Sequence, residues 1–381
     1  MKNLNESIAA TFLQIAEGLE TGSFGKKPRI AVTGISSEHG EENVLRGALQ
    51  AAKNGIDVTY IGTVHAEGIV TAEADCETAA HEKMTELLEN GTVDGAVTMH
   101  FPFPIGVTTV GRLCAPATGK QLFLASTTGT SSPDRVEALV KNALCGLAAA
   151  KAAGIEAPTL GILNIDGARQ AEIVLNQLKK AGYDFTWAES ARADGGAVMR
   201  GNDILLGSPD VLVCDSLTGN ILMKLLSAYP SGGSREVSGW GYGPGIGPDF
   251  TQLVCIVSRA SGSAVIAGAI QYAADMVRGR LFEKAAAEFA SADQSGLKDL
   301  LSARKHTEQP VREAVKAPPA EPCTASIPGI EVMDLEDAAA LLWKNGIYAE
   351  TGMGCTGPLV MMSQKNLARS AELLKQAGFI G

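Results

Sequence analysis

The sequence of residues 211–221 is Val211-Leu212-Val213-Cys214-Asp215-Ser216-Leu217-Thr218-Gly219-Asn220-Ile221. Its first four residues form an uninterrupted apolar run, which is typical of a strand buried on both faces of a parallel sheet. The following residues supply an acid, two hydroxyl groups, a glycine and an amide, which are residue types that form turns and begin helices. The pattern therefore predicts a buried strand, a polar turn and then a helix over residues 222–228.

Similar apolar runs recur along the chain and alternate with helical stretches. The runs lie at residues 30–34, 58–62, 122–125 and 160–163, and the predicted helices at 44–54, 76–90, 133–153 and 170–182. This alternation indicates an α/β protein with a mostly parallel sheet flanked by helices. Ligands of such sheets bind beyond the carboxyl ends of the strands, so we expect the chemistry in the loops after Leu163, Cys214 and Ile256.

The turn after Cys214 is a candidate anion site. Backbone N–H groups at the start of the next helix attract phosphate oxygens, and Asp215, Ser216, Thr218, Gly219 and Asn220 form the turn, with Lys224 as a nearby charge. An ordinary helix N-cap by Ser216 or Thr218 explains the same residues.

Three further features are candidate parts of a site. Asn164 and Asp166 come after the strand at residues 160–163 and are predicted to face the same crevice as Asp215, unless they form an Asx turn. His100 is the best histidine for proton transfer, although a structural role is common for such a residue. The glycine-rich residues 239–247 do not match the dinucleotide fingerprint, and suggest either a flexible loop or a phosphate cradle.

A cysteine between glycines lies near the carboxyl end, in Gly352-Met353-Gly354-Cys355-Thr356-Gly357-Pro358. It precedes a stretch, residues 359–377, that we predict to be helical. The start of a helix favours thiolate over thiol, so Cys355 is a candidate nucleophile for acyl chemistry. The alternative is a small residue at a tight turn. The chain's seven cysteines contain no C-x-x-C pair, so neither a disulfide framework nor a zinc site is predicted.

The composition divides the 381 residues into three parts. We predict an α/β body over residues 1–289, a proline-rich linker over residues 290–330, and a C-terminal helical segment over residues 331–381 that carries Cys355.

The net charge of −10 argues against a nucleic-acid partner. No apolar run reaches the roughly eighteen residues of a membrane span, and the N-terminal residues do not match a signal peptide. We therefore expect a cytoplasmic protein without metal or cofactor.

Residues 213–224 resemble the C-D-G-F-T-G-N-x-x-L-K pattern of the phosphate acyltransferases of phospholipid synthesis. Cys214-Asp215, Thr218-Gly219-Asn220 and Lys224 match it, while Ser216 replaces glycine and Leu217 replaces phenylalanine. The related L-L-N-I segment appears at residues 162–165. The resemblance covers about residues 29–281 and implies the fold of phosphotransacetylases and isocitrate dehydrogenase-like proteins.

Residues 354–358, after Asn345-Gly346-Ile347-Tyr348, resemble the alpha subunit family of component C of the glycine (sarcosine, betaine) reductase complex. That family serves anaerobic amino acid fermentation. The resemblance implies that Cys355 receives an acetyl thioester derived from the selenoprotein component A. Phosphate then releases acetyl phosphate, with inorganic phosphate as a substrate and no cofactor. It also implies a component C beta subunit as partner, in an oligomer.

Carried over to this sequence, the catalytic residues are Cys355, Thr356 and Gly354, and the phosphate-binding residues are Ser216, Thr218, Gly219, Asn220, Asn164, Asp215 and Lys224. Backbone N–H groups of Cys355 and Thr356 would stabilise the tetrahedral oxyanion. Two alternatives remain open at this point. One is a stand-alone phosphate acetyltransferase that uses acetyl-CoA, and the other is a non-catalytic scaffold for the beta subunit.

Overall fold

A mixed sheet of twelve strands forms the centre of the computed structural model. The structure describes residues 8, 11–13, 15–16, 27–192, 195–307, 315–330, 334–354 and 357–380. The strand order is β3-β2-β1-β4-β12-β11-β5-β6-β10-β7-β8, and β9 also pairs with β7. The strands are β1 Arg29–Thr33, β2 Asp57–Gly62, β3 Val70–Glu73, β4 Gly95–Thr98, β5 Val107–Cys114, β6 Gln121–Thr130, β7 Thr159–Leu163, β8 Thr186–Trp187, β9 Val198–Met199, β10 Val211–Val213, β11 Gly243–Ile246 and β12 Val254–Ile256.

Two parallel parts of this sheet meet at an antiparallel centre. Strands β3, β2, β1, β4 and β12 run parallel, as do β6, β10, β7, β8 and β9. Strands β11 and β5 pair antiparallel with each other and with their outer neighbours. The predicted mostly parallel α/β fold is therefore confirmed.

Helices cover both faces of the sheet because most of its strands are apolar on both faces. In β6, Leu122 and Leu124 pack into one core cluster while Phe123 and Ala125 pack into another. The helices of the body are α1 Glu41–Ala52, α2 Glu77–Glu89, α3 Arg135–Ala152, α4 Ala168–Lys180, α5 Gly201–Leu206, α6 Ser216–Ala228, α7 Ser263–Arg278, α8 Leu281–Gln294 and α9 Leu297–Thr307. The helices predicted at 44–54, 76–90, 133–153 and 170–182 correspond to α1 to α4. Within the described residues, none of the helices combines the length and apolar composition needed to cross a bilayer.

The glycine-rich residues 239–247 contain a strand and are not a loop throughout. Residues 243–246 form the buried central strand β11. A Cβ atom on Gly243, whose φ is +84°, would lie 1.7 Å from the carbonyl oxygen of Val110. Glycine is needed there for close packing of two strands, so neither the flexible loop nor the phosphate cradle suggested by the sequence is present at β11.

Helix also extends into the region predicted to be a linker. Residues 290–307 continue α8 and form α9, because Leu297 and Leu301 are buried in the main core despite the polar composition around them. Residues 308–314 lie outside the described part of the chain. The division into body, linker and C-terminal segment stays a prediction.

The C-terminal segment combines helices with a small sheet. Helices α10 Leu335–Lys344 and α11 Leu367–Gln376 pack on strands β13 Ala325–Pro328, β14 Ala349–Gly354 and β15 Gly357–Met362. Strands β14 and β15 are paired antiparallel from Ala349 opposite Met362 to Gly354 opposite Gly357. The helix predicted directly after Cys355 is therefore wrong in its first part, since β15 follows the motif and α11 begins only at Leu367. The argument that a helix start activates this thiol is lost with it.

Candidate functional site

A cavity of about 780 Å³ lies at the carboxyl ends of β4 and β12 and beside α6. We call it the Lys224 cavity. Its polar lining includes His100, Asn220, Lys224, Ser258 and Arg259. These five residues come from three separate segments of the chain, which are the loop after β4, helix α6 and the loop after β12. They meet at the edge of the sheet where ligands of α/β proteins bind.

The first turn of α6 differs from the sequence-based expectation. The helix begins at Ser216, not at residue 222, because the carboxylate of Asp215 caps it. Asp215 accepts hydrogen bonds from the backbone N–H of Thr218 at 2.9 Å and from the Thr218 hydroxyl at 2.6 Å. Asp215 rather than Ser216 or Thr218 is thus the N-cap, and its negative charge occupies the position at which a phosphate would meet the helix end.

Gly219 allows α6 to pack closely against β6. A Cβ atom at this position would lie 1.8 Å from the carbonyl oxygen of Ser126 and 3.0 Å from the sulfur of Cys214. The residue is buried and its backbone N–H donates to the Asp215 carbonyl within the helix. Its structural part is therefore to bring Asn220 and Lys224 next to the sheet edge.

Asn220 and Lys224 follow one another by a single helical turn on α6. The amide of Asn220 donates to the Thr127 carbonyl at 3.3 Å. The Lys224 ammonium lies 3.3 Å from the Ser258 hydroxyl and 3.6 Å from the carboxylate of Glu236. Asn220 and Lys224 are the predicted phosphate-binding residues that line the Lys224 cavity.

Buried groups fix Glu236 behind the Lys224 ammonium. Its carboxylate accepts from the Tyr242 hydroxyl at 2.7 Å and from the Ser261 hydroxyl at 2.8 Å. Burial, with the neighbouring Glu236 charge, raises the pKa of Tyr242, so the tyrosine stays a neutral donor. Because Glu236 cannot turn away, it holds the ammonium of Lys224 at the cavity wall.

The remaining predicted phosphate-binding residues are divided between other places. Asp215 and Ser216 line a smaller cavity of about 150 Å³ beside Arg135, which pairs with Asp166 at 3.1 Å. Asn164 lines a separate cavity next to the C-terminal segment. The structure thus does not gather all seven predicted residues around one ligand.

Ser258 and Arg259 are cavity residues that the sequence analysis did not name. Their position directly after strand β12 was the available signal, since the loop after Ile256 was expected to carry chemistry. The Arg259 guanidinium lies 3.0 Å from the Glu77 carboxylate, and the side chain is half exposed. Arg259 adds a second positive charge to that of Lys224, and because Glu38 is the one carboxylate among the described lining residues, the excess of positive charge favours an anionic ligand.

Cys355 and Thr356 lie outside the described residues, and Gly354 is described only as the last residue of β14, so the three predicted catalytic positions stay predictions. Burial raises the pKa of Cys145 to about 12 and also raises the pKa values of the buried Cys214 and Cys255. These thiols are poor nucleophiles near neutral pH. In the described ranges, no group of three or more His, Cys, Asp or Glu side chains has the arrangement of a metal site.

The chain is similar in sequence to proteins of the phosphate acyltransferase class. The sequence model of the family described as fatty acid synthesis protein matches residues 28–361. A phosphate acyltransferase of Thermus thermophilus is 28% identical over 233 residues, covering 52% of this chain and 70% of that protein. A solved branched-chain phosphotransacylase from Enterococcus faecalis covers 66% of this chain and 99% of its own, with a TM-score of 0.48 and 15% identity.

A second relative matches over the whole length. The chain is 50% identical over 384 aligned residues, which cover 100% of both proteins, to the glycine/sarcosine/betaine reductase complex component C subunit alpha of Peptoclostridium acidaminophilum. The chain therefore belongs to the fatty acid synthesis protein family, with its phosphate acyltransferases, and within it to the component C alpha subunits. Membership of this family supports an acyltransferase activity.

Proposed function

We propose that the chain carries an acetyl group as a thioester on Cys355 and transfers it to inorganic phosphate. The observation that supports this most is the Lys224 cavity, which presents Lys224, Arg259, Asn220 and Ser258 at the ligand-binding edge of a sheet in a phosphate acyltransferase-like chain. Two cations and two neutral donors, against the single carboxylate of Glu38 in the described lining, leave an excess of positive charge that suits an anion such as hydrogen phosphate.

The reaction balances without a cofactor. An oxygen of HPO₄²⁻ attacks the carbonyl carbon of the thioester, and the carbon–sulfur bond of the tetrahedral intermediate breaks. The sulfur leaves, the phosphate proton passes to it, and the products are acetyl phosphate and the free Cys355 thiol. Phosphate is already an anion, so positioning it and stabilising the oxyanion are the main tasks of the protein.

Lys224 and Asn220 have distinct parts in this proposal. The ammonium of Lys224, held by Glu236, attracts and orients the phosphate as a point charge. The amide of Asn220 supplies a neutral hydrogen bond from the adjacent turn of α6. Backbone N–H groups of Cys355 and Thr356 complete the site by stabilising the oxyanion once the acylated cysteine arrives.

Delivery of the thioester requires the C-terminal segment to move. The segment lines one cavity together with Asn164, which follows β7. Strand β7 lies two strand positions from β6 and five from β12, which corresponds to roughly 10 to 24 Å across the sheet. We propose that the chain between α9 and β13 allows the segment to receive the acetyl group elsewhere and then bring Cys355 to the Lys224 cavity.

The name of the full-length relative, which is subunit alpha of component C of a reductase complex, supports a place for this chain in a multi-subunit complex. We propose that this chain assembles with a component C beta subunit and receives its acetyl group from the selenoprotein component A. It would then act in the cytoplasm of an anaerobic amino acid-fermenting cell and need no metal or further cofactor.

Asn220→Ala is expected to raise the phosphate concentration needed for half-maximal acetyl phosphate formation about two- to tenfold, because one neutral hydrogen bond is lost. Acylation of Cys355 itself should be unchanged, since that step does not use phosphate. The measurement is the rate of acetyl phosphate formation against phosphate concentration, with the reconstituted complex.

Leu225→Ala is a matched control on the same helix, because the Leu225 side chain is 62% exposed and does not line the cavity. It should leave the phosphate dependence as in the wild type. Loss of Cys355 acylation in Asn220→Ala would place Asn220 in an earlier step and contradict its assignment to phosphate.

A further inference from the structure

A third cavity, of about 540 Å³, lies where helix α4 and strands β7 and β9 meet the C-terminal segment. We call it the arginine cavity. Its polar walls are formed by Asn164, Arg169, Asn176, Arg192 and Arg200 together with Glu172. It is separate from the Lys224 cavity and shares none of its lining residues.

The charge of this lining is opposite to that of the whole protein. Three guanidinium groups face one carboxylate, Glu172, so the lining carries a formal charge of +2 in a chain of net charge −10. Arg169 pairs with Glu172 at 2.9 Å on the same helix, and its side chain is 45% exposed. Guanidinium groups at a concave surface are suited to bidentate binding of phosphate or carboxylate oxygens.

A buried carboxylate holds two of these arginine-bearing segments together. Asp203 is 1% exposed and accepts hydrogen bonds from the backbone N–H groups of Arg200 at 2.8 Å and Ala191 at 2.7 Å. The hydroxyls of Ser190 and Ser208 add two more bonds, each 2.9 Å long. The backbones next to Arg192 and at Arg200 are therefore fixed in place, which makes the cavity preorganised.

The other wall of the arginine cavity belongs to the C-terminal segment. Pro328 and Gly329 at the end of β13, and Ile380 near the C-terminus, line it opposite Ile173 of α4. Gln170 of α4 also donates to the Asp334 carboxylate at 3.4 Å, next to α10. A ligand in this cavity would thus contact the body and the C-terminal segment at the same time.

The cavity lies close to the described end of the β14–β15 hairpin. Pro328 is paired with Leu359 of β15, and Gly357 is two residues further along that strand, or about 7 Å. Gly354 is opposite Gly357 and immediately precedes Cys355 in the sequence. Occupation of the cavity would therefore affect the segment that carries the proposed nucleophile.

We propose that the arginine cavity binds a phosphate-bearing small molecule that holds the C-terminal segment against the body. Its phosphate group meets Arg169, Arg192 and Arg200, and its apolar part lies against Ile173 and Ile380. The volume is in the usual range for small-molecule sites and exceeds what a single phosphate ion fills. This site does not depend on the reaction proposed at Cys355.

The test is calorimetric titration of the full chain with inorganic phosphate and with phenyl phosphate, in a Lys224→Met background that removes the other phosphate site. Phenyl phosphate is expected to bind, and Arg200→Gln or Arg169→Gln to weaken it about tenfold or more, because each removes a charge-assisted hydrogen bond. Glu172→Gln should tighten binding. Tighter binding of phenyl phosphate than of phosphate would support a phosphate ester as the ligand, and equal binding of the two would contradict the proposed contacts with Ile173 and Ile380.

Hydrogen exchange gives the second readout. Phenyl phosphate should slow exchange in residues 325–328 and 359–362 of the wild type but not of Arg200→Gln. Arg46→Gln, on the exposed face of α1, is the matched control and should bind as the wild type does. Arg200→Lys keeps the charge and should bind with intermediate affinity. Absence of binding in the Lys224→Met background, or binding that neither arginine substitution weakens, would overturn the proposal.

Discussion

Cys355→Ala is expected to lower acetyl phosphate formation by the reconstituted complex at least about a thousandfold, because without the thiol no acetyl thioester can form on this chain. Cys355→Ser should be nearly as inactive, since a hydroxyl is a far weaker nucleophile than a thiolate near neutral pH. Both substitutions replace one small side chain by another, so thermal unfolding should occur at almost the same temperature as in the wild type.

Cys323→Ala is the control for the loss of a thiol. Cys323 precedes β13 and is partly exposed, and its pKa is raised by burial and by the carboxylates of Glu350 and Glu321. This variant should keep full activity. Full activity of Cys355→Ala would contradict the proposal, and alkylation of Cys355 no faster than that of Cys323 would favour the scaffold.

A different assay distinguishes the proposed complex subunit from a stand-alone phosphate acetyltransferase. Purified chain, acetyl-CoA and phosphate, with no other protein present, should yield no acetyl phosphate. Measurable product would instead favour a phosphate acetyltransferase that uses coenzyme A, an enzyme with no need of Cys355.

Gly219→Ala is the second substitution with a large expected effect. An added Cβ atom would lie 1.8 Å from the Ser126 carbonyl oxygen, which is backbone of β6 and cannot rotate away. We expect the free energy of unfolding to fall by about 3 kcal/mol, because α6 must shift from the sheet. Asn220 and Lys224 move with the helix, so phosphate binding should weaken as well. Chemical denaturation and phosphate titration measure the two effects.

Gly201→Ala provides the matched control at the start of helix α5. Nothing lies within 4 Å of a Cβ atom there, and the glycine does not have a positive φ. The free energy of unfolding should stay the same or rise by up to about 1 kcal/mol, since alanine is the better helix former. Equal stability of both alanine variants would contradict the close packing of α6 on β6.

The sequence predicted the sheet well because its strands are apolar on both faces. Residues 211–213 form β10 and residues 160–163 lie within β7, as their apolar runs indicate. The start of α6 was harder to place, because Asp215, Ser216 and Thr218 are all good N-cap residues. Local sequence could not decide among them, whereas the contact of Gly219 with β6 fixes the helix in three dimensions.

The candidate site could be predicted only in part, since its residues come together through the strand order. Asn164 follows β7 and Asn220 lies on α6, which follows the neighbouring strand β10. The two amides nevertheless line different cavities, because Asn220 lies one turn into α6, on the side that meets the loop after β12. Arg259 follows β12, which is connected through β11 and β5 to β6, the strand on which α6 packs, and this strand order brings Arg259 to the same cavity as Lys224.

The apolar pattern of the residues after Cys355 was not enough to distinguish a helix from a strand. The short apolar run Leu359-Val360-Met361-Met362 is compatible with a buried segment of helix as well as with a strand. These residues form β15 because β13 and β14 pair with it on either side, a tertiary contact that local pattern does not reveal.

Mass spectrometry of the protein after turnover without phosphate tests the central claim most directly. The reconstituted complex should leave one acetyl group on this chain, peptide mapping should locate it on Cys355, and added phosphate should remove it as acetyl phosphate. An acetyl group on a different side chain, or a chain that acquires none while the complex is turning over, would contradict this account.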